Sequence, residues 1–389
     1  MLDSNQVIAY ESLSAVQRRP SAKPGKFDDA MIRPERIGTA VSVRRRPRRA
    51  SSAAVRLEDV ARLAGVSTAS VSRALNAPDL VSLELRERIA HAVQELQWVP
   101  NGVAKALASL RTRTVGVMIP TLSHQNFATL IEALQHRLGA AQYTLLLCCV
   151  EASAELRLQQ ARKLLEQGVE CLVLVGEAQP PALFDLLVSR KVPYVITYTS
   201  GRTGAHTCIG FDNYASAVRV TQHLLDLGHR NFGMVAHNSN DNDRIQQRIE
   251  GIRDTLARAG IAIRPQHLVQ VDSRHIASGR EGMRQILQDI EHCPTALICT
   301  NDYIATGAMI EAKVQNLAIP RDLSIVGFDD TDMSAHLDPP LTTIRVPSRR
   351  MGEEIAAYII ARLEGGLAAP PPTLEAELVV RGSTAPPSR

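Results

Sequence analysis

From Thr114 onward the chain alternates short apolar runs with helical stretches, and this alternation limits the possible folds more than any other feature. Runs of strand length fall at 114–119 (TVGVMI), 143–150, 171–175, 194–197, 232–236, 296–300 and 323–328. Helical stretches lie between them at 127–141, 155–167, 214–227, 245–259, 277–290 and 303–315. Strand then helix, repeated, predicts parallel sheets covered on both faces, because parallel neighbours need a crossover and the crossover helices bury the sheet. Residues 114–382 are too many for one such sheet. We read two similar lobes, with 342–381 supplying crossover segments between them.

The preceding stretch has a different period. In LEDVARLAGVSTASVSRALN, residues Leu57, Val60, Ala61 and Ala64 share one helical face, and Gly65-Val66 breaks it. Ser67 stands where an N-cap belongs, since its hydroxyl can accept from the free N–H groups of a new helix. That helix runs from Thr68 to Leu75 with Val71, Ala74 and Leu75 as its apolar stripe. Two helices joined so tightly predict a helix-turn-helix, whose second helix enters a DNA major groove. A third helix, 83–97, covers their apolar backs. An ordinary helical corner in an enzyme has the same local pattern, so the motif alone leaves both readings open.

Composition narrows the class. No apolar run approaches the eighteen or so residues of a membrane span, and the first sixteen residues lack the basic-then-apolar pattern of a secretory signal. Cys148, Cys149, Cys171, Cys208, Cys293 and Cys299 show no metal spacing and mostly sit in apolar runs, which reads as buried thiols in a reducing cytoplasm. The net charge of +4 is unevenly placed: residues 1–56 hold 12 Lys and Arg against 5 Asp and Glu, and the remainder is net negative. Residues 1–54 read as a disordered basic tail. Its run Arg44-Arg45-Arg46-Pro47-Arg48-Arg49 is either a phosphate-contacting arm or a solvated tail.

The wording of 57–76 and of ELQWVPNGVAKALAS resembles the DNA-binding headpiece of the lactose-repressor (LacI/GalR) family. LGHRNFGMVA, RIEGIRDTLARAGI, ICTNDYIATGAMIEA and LSIVGFDDTDMSAHLDPPLTTIRV extend that resemblance through nearly all of the remaining chain. It implies an α/β protein with an N-terminal all-α helix-turn-helix headpiece and a two-lobed, periplasmic-binding-protein-like α/β regulatory domain. The expected division is a tail at 1–54, a headpiece at 55–100, a hinge helix and linker at 101–113, lobes at 114–382 and a flexible C-terminus at 383–389.

The resemblance assigns Thr68 and Ala69 to the positions that set operator preference and Arg73 to a guanine-reading arginine, whose fork fits O6 and N7. Ser70 and Ser72 suit phosphate contacts. Asn101 caps a hinge helix that forms when two copies pair over the minor groove, with Lys105 facing phosphates and Leu107 wedging a central base step. One departure stands out: the family's usual Ser or Thr N-cap before Leu57 is here Arg56, and Glu58 and Asp59 compensate in part through the helix dipole.

In open α/β sheets ligands bind beyond the carboxyl ends of strands. Phe127, Tyr198, Asn301 and Asp329 follow apolar runs, and Arg248 matches the family arginine that grips hydroxyls or carboxylates. Phe127 reads equally as core, and Asp302 reads as a helix cap. The polar loop His124-Gln125-Asn126 resembles that of gluconate-type regulators and leans toward a sugar acid or polyol over a purine. No phosphate loop, GxSxG elbow, HExxH pair or CxxC site is present. We therefore expect a cytoplasmic, homodimeric, non-enzymatic repressor without cofactor or metal. Its expected partners are a near-palindromic double-stranded DNA operator and a sugar, sugar-acid or polyol effector that acts as inducer or co-repressor. A sugar-binding module without a working DNA reader is the competing reading, and an enzyme with a fused DNA-binding domain is a third.

Overall fold

The computed structural model describes residues 55–109, 111–150, 153–201, 204–238, 242–366 and 373–388, without the side chains of 78, 103–105, 108 and 290. The basic run 44–49 and the Lys105 side chain lie outside the described residues. The chain forms two compact units that divide between Trp98 and Val99.

The first unit is helical, with α1 (Leu57–Ala64), α2 (Thr68–Asn76) and α3 (Leu83–Glu95). Gly65 ends α1 in the left-handed conformation at φ 65°, which a residue without Cβ adopts without strain. Ser67 Oγ accepts from the Ser70 N–H at 3.1 Å and starts α2. Arg56 caps nothing with its side chain; instead the Asp59 carboxylate accepts from the Arg56 backbone N–H at 2.9 Å. That bond, with Arg62 nearby, holds the Asp59 carboxyl below its ordinary range. Val60, Ala61, Ala64, Val71, Ile89 and Ala92 form the core, with Ala74 at its margin. Leu75, expected on the buried stripe, is 41 % exposed, because so small a core closes over Val71 and Ala74 and leaves the last turn of α2 outside it.

The second unit opens with α4 (Gly102–Ser109). It continues through β1 (Thr114–Ile119), α5 (Gln125–Ala140), β2 (Thr144–Cys149), α6 (Ala154–Glu166), β3 (Cys171–Val175), α7 (Pro181–Ser189), β4 (Tyr194–Thr197) and β5 (Cys208–Ile209). These strands form one parallel sheet, ordered β2-β1-β3-β4-β5. A second parallel sheet, β7-β6-β8-β9, is built from β6 (Phe232–His237), β7 (Leu268–Val271), β8 (Ala296–Cys299) and β9 (Ser324–Val326). Its helices are α8 (Asn213–Asp226), α9 (Asp243–Arg258), α10 (Ile276–Ile286) and α11 (Asp302–Val314). α10 and α11 pack backbone to backbone: a Cβ at Gly279 would lie 2.1 Å from the Ile304 carbonyl. β10 (Thr343–Arg345) pairs antiparallel with β11 (Glu377–Val379), and between them α12 (Ser348–Leu363) returns to pack on α5 of the first lobe.

Two expectations are corrected. Residues 383–388 are docked, not loose: Ser383 is fully buried, its carbonyl accepts from the Ile325 N–H at 2.9 Å, and its hydroxyl accepts from the Thr342 N–H at 2.8 Å. The segment extends the edge beside β9, where unpaired backbone groups need partners. Of the six cysteines only Cys171, Cys293 and Cys299 are buried, and Cys149 is exposed at the end of edge strand β2. Among the described residues no helix is long and apolar enough to cross a membrane, and no cluster of His, Cys, Asp and Glu is placed to hold a metal ion.

Candidate functional site

In the headpiece, α2 turns Val71 into the core and leaves the opposite face to solvent. Ala69, Ser72 and Arg73 are exposed, and Thr68 and Ser70 are half-buried. Ser72 is engaged by Asn76 Nδ2, which donates to its carbonyl at 2.9 Å. This surface carries one cation, three hydroxyls and the methyls of Thr68 and Ala69, a set suited to base edges and phosphates.

In the second unit Asn101 is exposed just before α4, and Leu107 on that helix is 79 % exposed. An apolar side chain so exposed on an eight-residue helix gains nothing from the fold around it. The linker after α4 is strapped to the first lobe. Glu170 accepts from Arg111 Nη2 at 2.8 Å and from the Arg113 N–H at 2.9 Å, and Arg111 also donates to the Tyr143 hydroxyl at 2.8 Å. The largest single effect on Glu170 is burial, which raises its pKa, but the Arg111 and backbone bonds together outweigh it and hold the carboxyl low.

The five residues marked from strand ends and from the start of α9 all reach one cavity. Phe127, Tyr198, Arg248, Asn301 and Asp329 line a space of about 40 Å³, together with His124, Asn126 and Arg244 among others. Phe127 and Tyr198 meet edge to face at 4.9 Å and are nearly fully buried, so Phe127 is both core and cavity wall. Tyr198 sits at φ 62°, after β4, and its hydroxyl lies 3.3 Å from Ser348 Oγ.

Arg248 is held on three sides. Nε donates to Asn213 Oδ1 at 2.9 Å, Nη1 donates to the Thr300 carbonyl at 2.7 Å, and its guanidinium carbon stands 3.5 Å above the centre of the Phe328 ring. Asn213 in turn donates to the Tyr198 carbonyl at 2.8 Å, which fixes arginine and tyrosine together. Burial, with Arg244 adding to it, lowers the Arg248 pKa to about 10. Burial likewise raises Asp329 to about 7, opposed by the attraction of Arg248. His124 falls to about 4, chiefly through burial and then through Arg274 and His275, so it is neutral at physiological pH.

The neighbours Asn301 and Asp302 exchange the expected emphasis. Asn301 is the cap: its Oδ1 accepts from the Ile304 N–H at 2.8 Å. Its Nδ2, at the cavity wall and buried, has no hydrogen-bond partner. Asp302, expected to cap, is instead a fully buried anchor that accepts from Ser334 Oγ at 2.6 Å, Thr343 Oγ1 at 2.6 Å and the Thr331 N–H at 2.9 Å. Cap geometry explains the change: α11 begins at Asp302, so the side chain one residue earlier reaches the free N–H. Asp330 pairs with Arg345 and Arg381, each at 2.7 Å.

Sequence reasoning did not single out Arg244, Arg274, Asn242, Arg157 or His237 in the cleft. Arg244 was within reach of it, since it lies one helical turn before Arg248 on the same face of α9.

The model of the bacterial regulatory proteins of the lacI family matches residues 56–101, and that of the periplasmic binding protein-like domain matches 221–384. The repressor PurR of Aliivibrio salmonicida is 31 % identical over 310 residues, spanning 79 % of this chain and 92 % of that protein. This chain belongs to the LacI family. Among solved structures, the lac repressor dimer bound to operator and an anti-inducer is 27 % identical with a TM-score of 0.75, covering 85 % of this chain and 99 % of that one. A CelR–cellobiose complex is 27 % identical with a TM-score of 0.62 and the same coverage. This LacI-family chain is a DNA-binding transcriptional repressor with a sugar-type effector domain, and not an enzyme.

Proposed function

We propose that this LacI-family repressor acts in the cytoplasm as a homodimer on a near-palindromic operator. It controls genes of carbohydrate or sugar-acid metabolism and is released or tightened by a sugar, sugar acid or polyol in the inter-lobe cleft. The observation that carries the effector reading is the convergence of Phe127, Tyr198, Arg248, Asn301 and Asp329 on one cavity. An aromatic wall takes the apolar face of a sugar ring, and an amide, a carboxylate and a guanidinium answer hydroxyls. The cellobiose complex of the CelR relative supports a carbohydrate as the class of ligand.

On the DNA side, Thr68, Ala69 and Arg73 read base edges while Ser70 and Ser72 set register on phosphates. Asn101, Lys105 and Leu107 belong to the hinge that pairs over the central minor groove, where Leu107 is the wedge. Effector and operator are linked because the ligand binds the DNA-competent and incompetent lobe arrangements unequally.

The test is unbiased selection of DNA by the purified full-length protein at near-physiological salt, with and without pooled sugars, sugar acids and polyols. Enrichment of a near-palindrome that responds to the pool is the expected result. Failure to enrich under both conditions refutes the DNA-reading role. Deleting residues 1–110 is expected to abolish operator binding and spare ligand binding.

A further inference from the structure

The 40 Å³ cavity continues past Asn242, Arg244 and Arg274 into a second one of about 130 Å³. Three guanidinium groups line this larger space, those of Arg157 from α6, Arg244 from α9 and Arg274 from the loop after β7, along with His237. Among its described lining residues, Asp243 is the single carboxylate. That carboxylate is already engaged, since Oδ2 accepts from the Glu177 N–H at 2.8 Å. Its other oxygen lies 3.9 Å from Arg244 Nε, beyond hydrogen-bond reach, and the Arg244 side chain is only 11 % exposed.

Two guanidinium donors here wait for an acceptor: Arg244 Nε and Arg157 Nε are buried without a hydrogen-bond partner. Arg157 is nevertheless held in place, because its Nη1 donates to the Ala178 carbonyl at 2.8 Å. Burial pulls Arg244 and Arg274 below the usual arginine range, the mark of positive charge held away from water. Buried cations cost free energy unless paired, and a planar guanidinium offers donors spaced for a carboxylate or phosphate. A neutral sugar would leave this end of the cleft with excess positive charge and unmade bonds.

We propose that the second cavity is an oxyanion subsite. The effector is a small carbohydrate carrying a carboxylate or a phosphate monoester, its charged group held by Arg157, Arg244 and Arg274 while its hydroxyls face Arg248, Asn301 and Asp329. This rests on the cleft being the effector site. It moves the anion away from Arg248, whose Nε and Nη1 already donate within the protein.

The test uses the full-length protein and four probes: inorganic phosphate, D-gluconate, glucose 6-phosphate and D-glucose, each followed by calorimetry and by thermal unfolding at matched ionic strength. At least one anionic probe is expected to bind and D-glucose to bind more weakly. Arg244→Gln and Arg274→Gln are each expected to weaken the anion by about tenfold or more, the value of a lost charged hydrogen bond. Phosphate and glucose 6-phosphate binding without D-gluconate identifies a phosphate monoester; the reverse identifies a sugar acid. Arg157→Lys, which keeps the charge and loses the fork, supplies a second variant that leaves the core untouched.

Anion binding that is absent, or unchanged in all three variants, overturns the subsite. Binding of D-glucose that is lost in Asp329→Asn and unchanged in Arg244→Gln overturns the subsite and leaves the cleft standing. Probe binding unaffected by both Asp329→Asn and Asn301→Ala overturns the cleft reading itself.

Discussion

Replacing Asp329 by Asn should make the effector-free protein more stable at alkaline pH, although it removes a carboxylate from the cavity lining. The Asp329 carboxyl ionises at about 7 in the folded chain, against an ordinary value of 3.8, chiefly because burial disfavours the charge. In the unfolded chain it ionises at the ordinary value. Below that value both states are protonated and the residue contributes no difference. Between the two values the unfolded state alone releases the proton, so folding loses stability as pH rises, and the loss is complete above about 7. A displacement of some three pH units at about 1.4 kcal/mol each sets a ceiling near 4 kcal/mol. The side chain is only half-buried and borders the cleft, so water screening brings the expected figure to about 2 kcal/mol.

Asparagine keeps the shape and leaves intact the Asp329 N–H bond to the Ile344 carbonyl. The assay is urea unfolding at pH 8, 6 and 4.5 followed by far-UV circular dichroism. Tryptophan fluorescence would report the wrong unit, because the single tryptophan, Trp98, closes the headpiece. A gain at pH 8 that shrinks at pH 6 and is nearly gone at pH 4.5 is expected. An equal or less stable variant at pH 8, or a gap independent of pH, would show that burial of this carboxyl is not what raises it.

Four further outcomes are expected. Arg73→Ala, at an exposed guanidinium of the headpiece, should cost about 1–3 kcal/mol on the selected operator and little on scrambled DNA in mobility-shift titrations; an equal loss on both sequences would assign Arg73 to phosphates. Leu107→Ala should leave the melting temperature unchanged, since the side chain is 79 % exposed, and weaken operator binding; unchanged operator affinity would rule out the wedge. Glu170→Gln removes the charge and one of the two acceptor oxygens from the strap on the Arg111–Arg113 linker. Effector affinity by calorimetry should hold while the effector-dependent change in operator affinity shrinks, and an unaltered change would place the coupling elsewhere. Arg56→Ser should stabilise the headpiece by about 1 kcal/mol, read from Trp98 fluorescence in urea, because the new hydroxyl caps α1; a loss would mean that the Asp59 bond to the Arg56 N–H is already sufficient.

The two parallel sheets were legible because β1, β3, β4, β6 and β8 are buried on both faces and so read as unbroken apolar runs. β7 was not legible. It is four residues long, with Gln270 exposed between Val269 and Val271, and a missed strand hides the loop at its carboxyl end. Arg274 stands in that loop, so the rule that found Asn301 and Asp329 had nothing to act on. Arg157 enters the cleft from the first turns of α6, and sequence spacing gives no hint that a helix of one lobe faces β7 of the other. α7 was obscured by its Pro180-Pro181 start, which reads as a breaker although proline suits a first helical turn. The docked C-terminus was missed for a similar reason: STAPPSR looks like a tail, and its role depends on an edge strand more than fifty residues earlier in the chain.

The buried carboxylate of Asp302 sets how the cleft can change. It ties the start of α11 to Thr331, Ser334 and Thr343, and its own N–H donates to the Phe328 carbonyl at 2.9 Å. Asn301 precedes that anchor and Asp329 comes directly after Phe328, so the amide and the carboxylate at the cavity are set at a fixed spacing by one knot. Arg248 joins the same piece through the Thr300 carbonyl and the Phe328 ring. The carboxyl-side wall of the cavity is therefore one preassembled piece. Phe127, Tyr198 and Arg157 of the opposing lobe form the facing wall, and Tyr198 is tied back to Arg248 through Asn213. Arg244 and Arg274 line the cavity from outside the knot, so either can be exchanged without untying it.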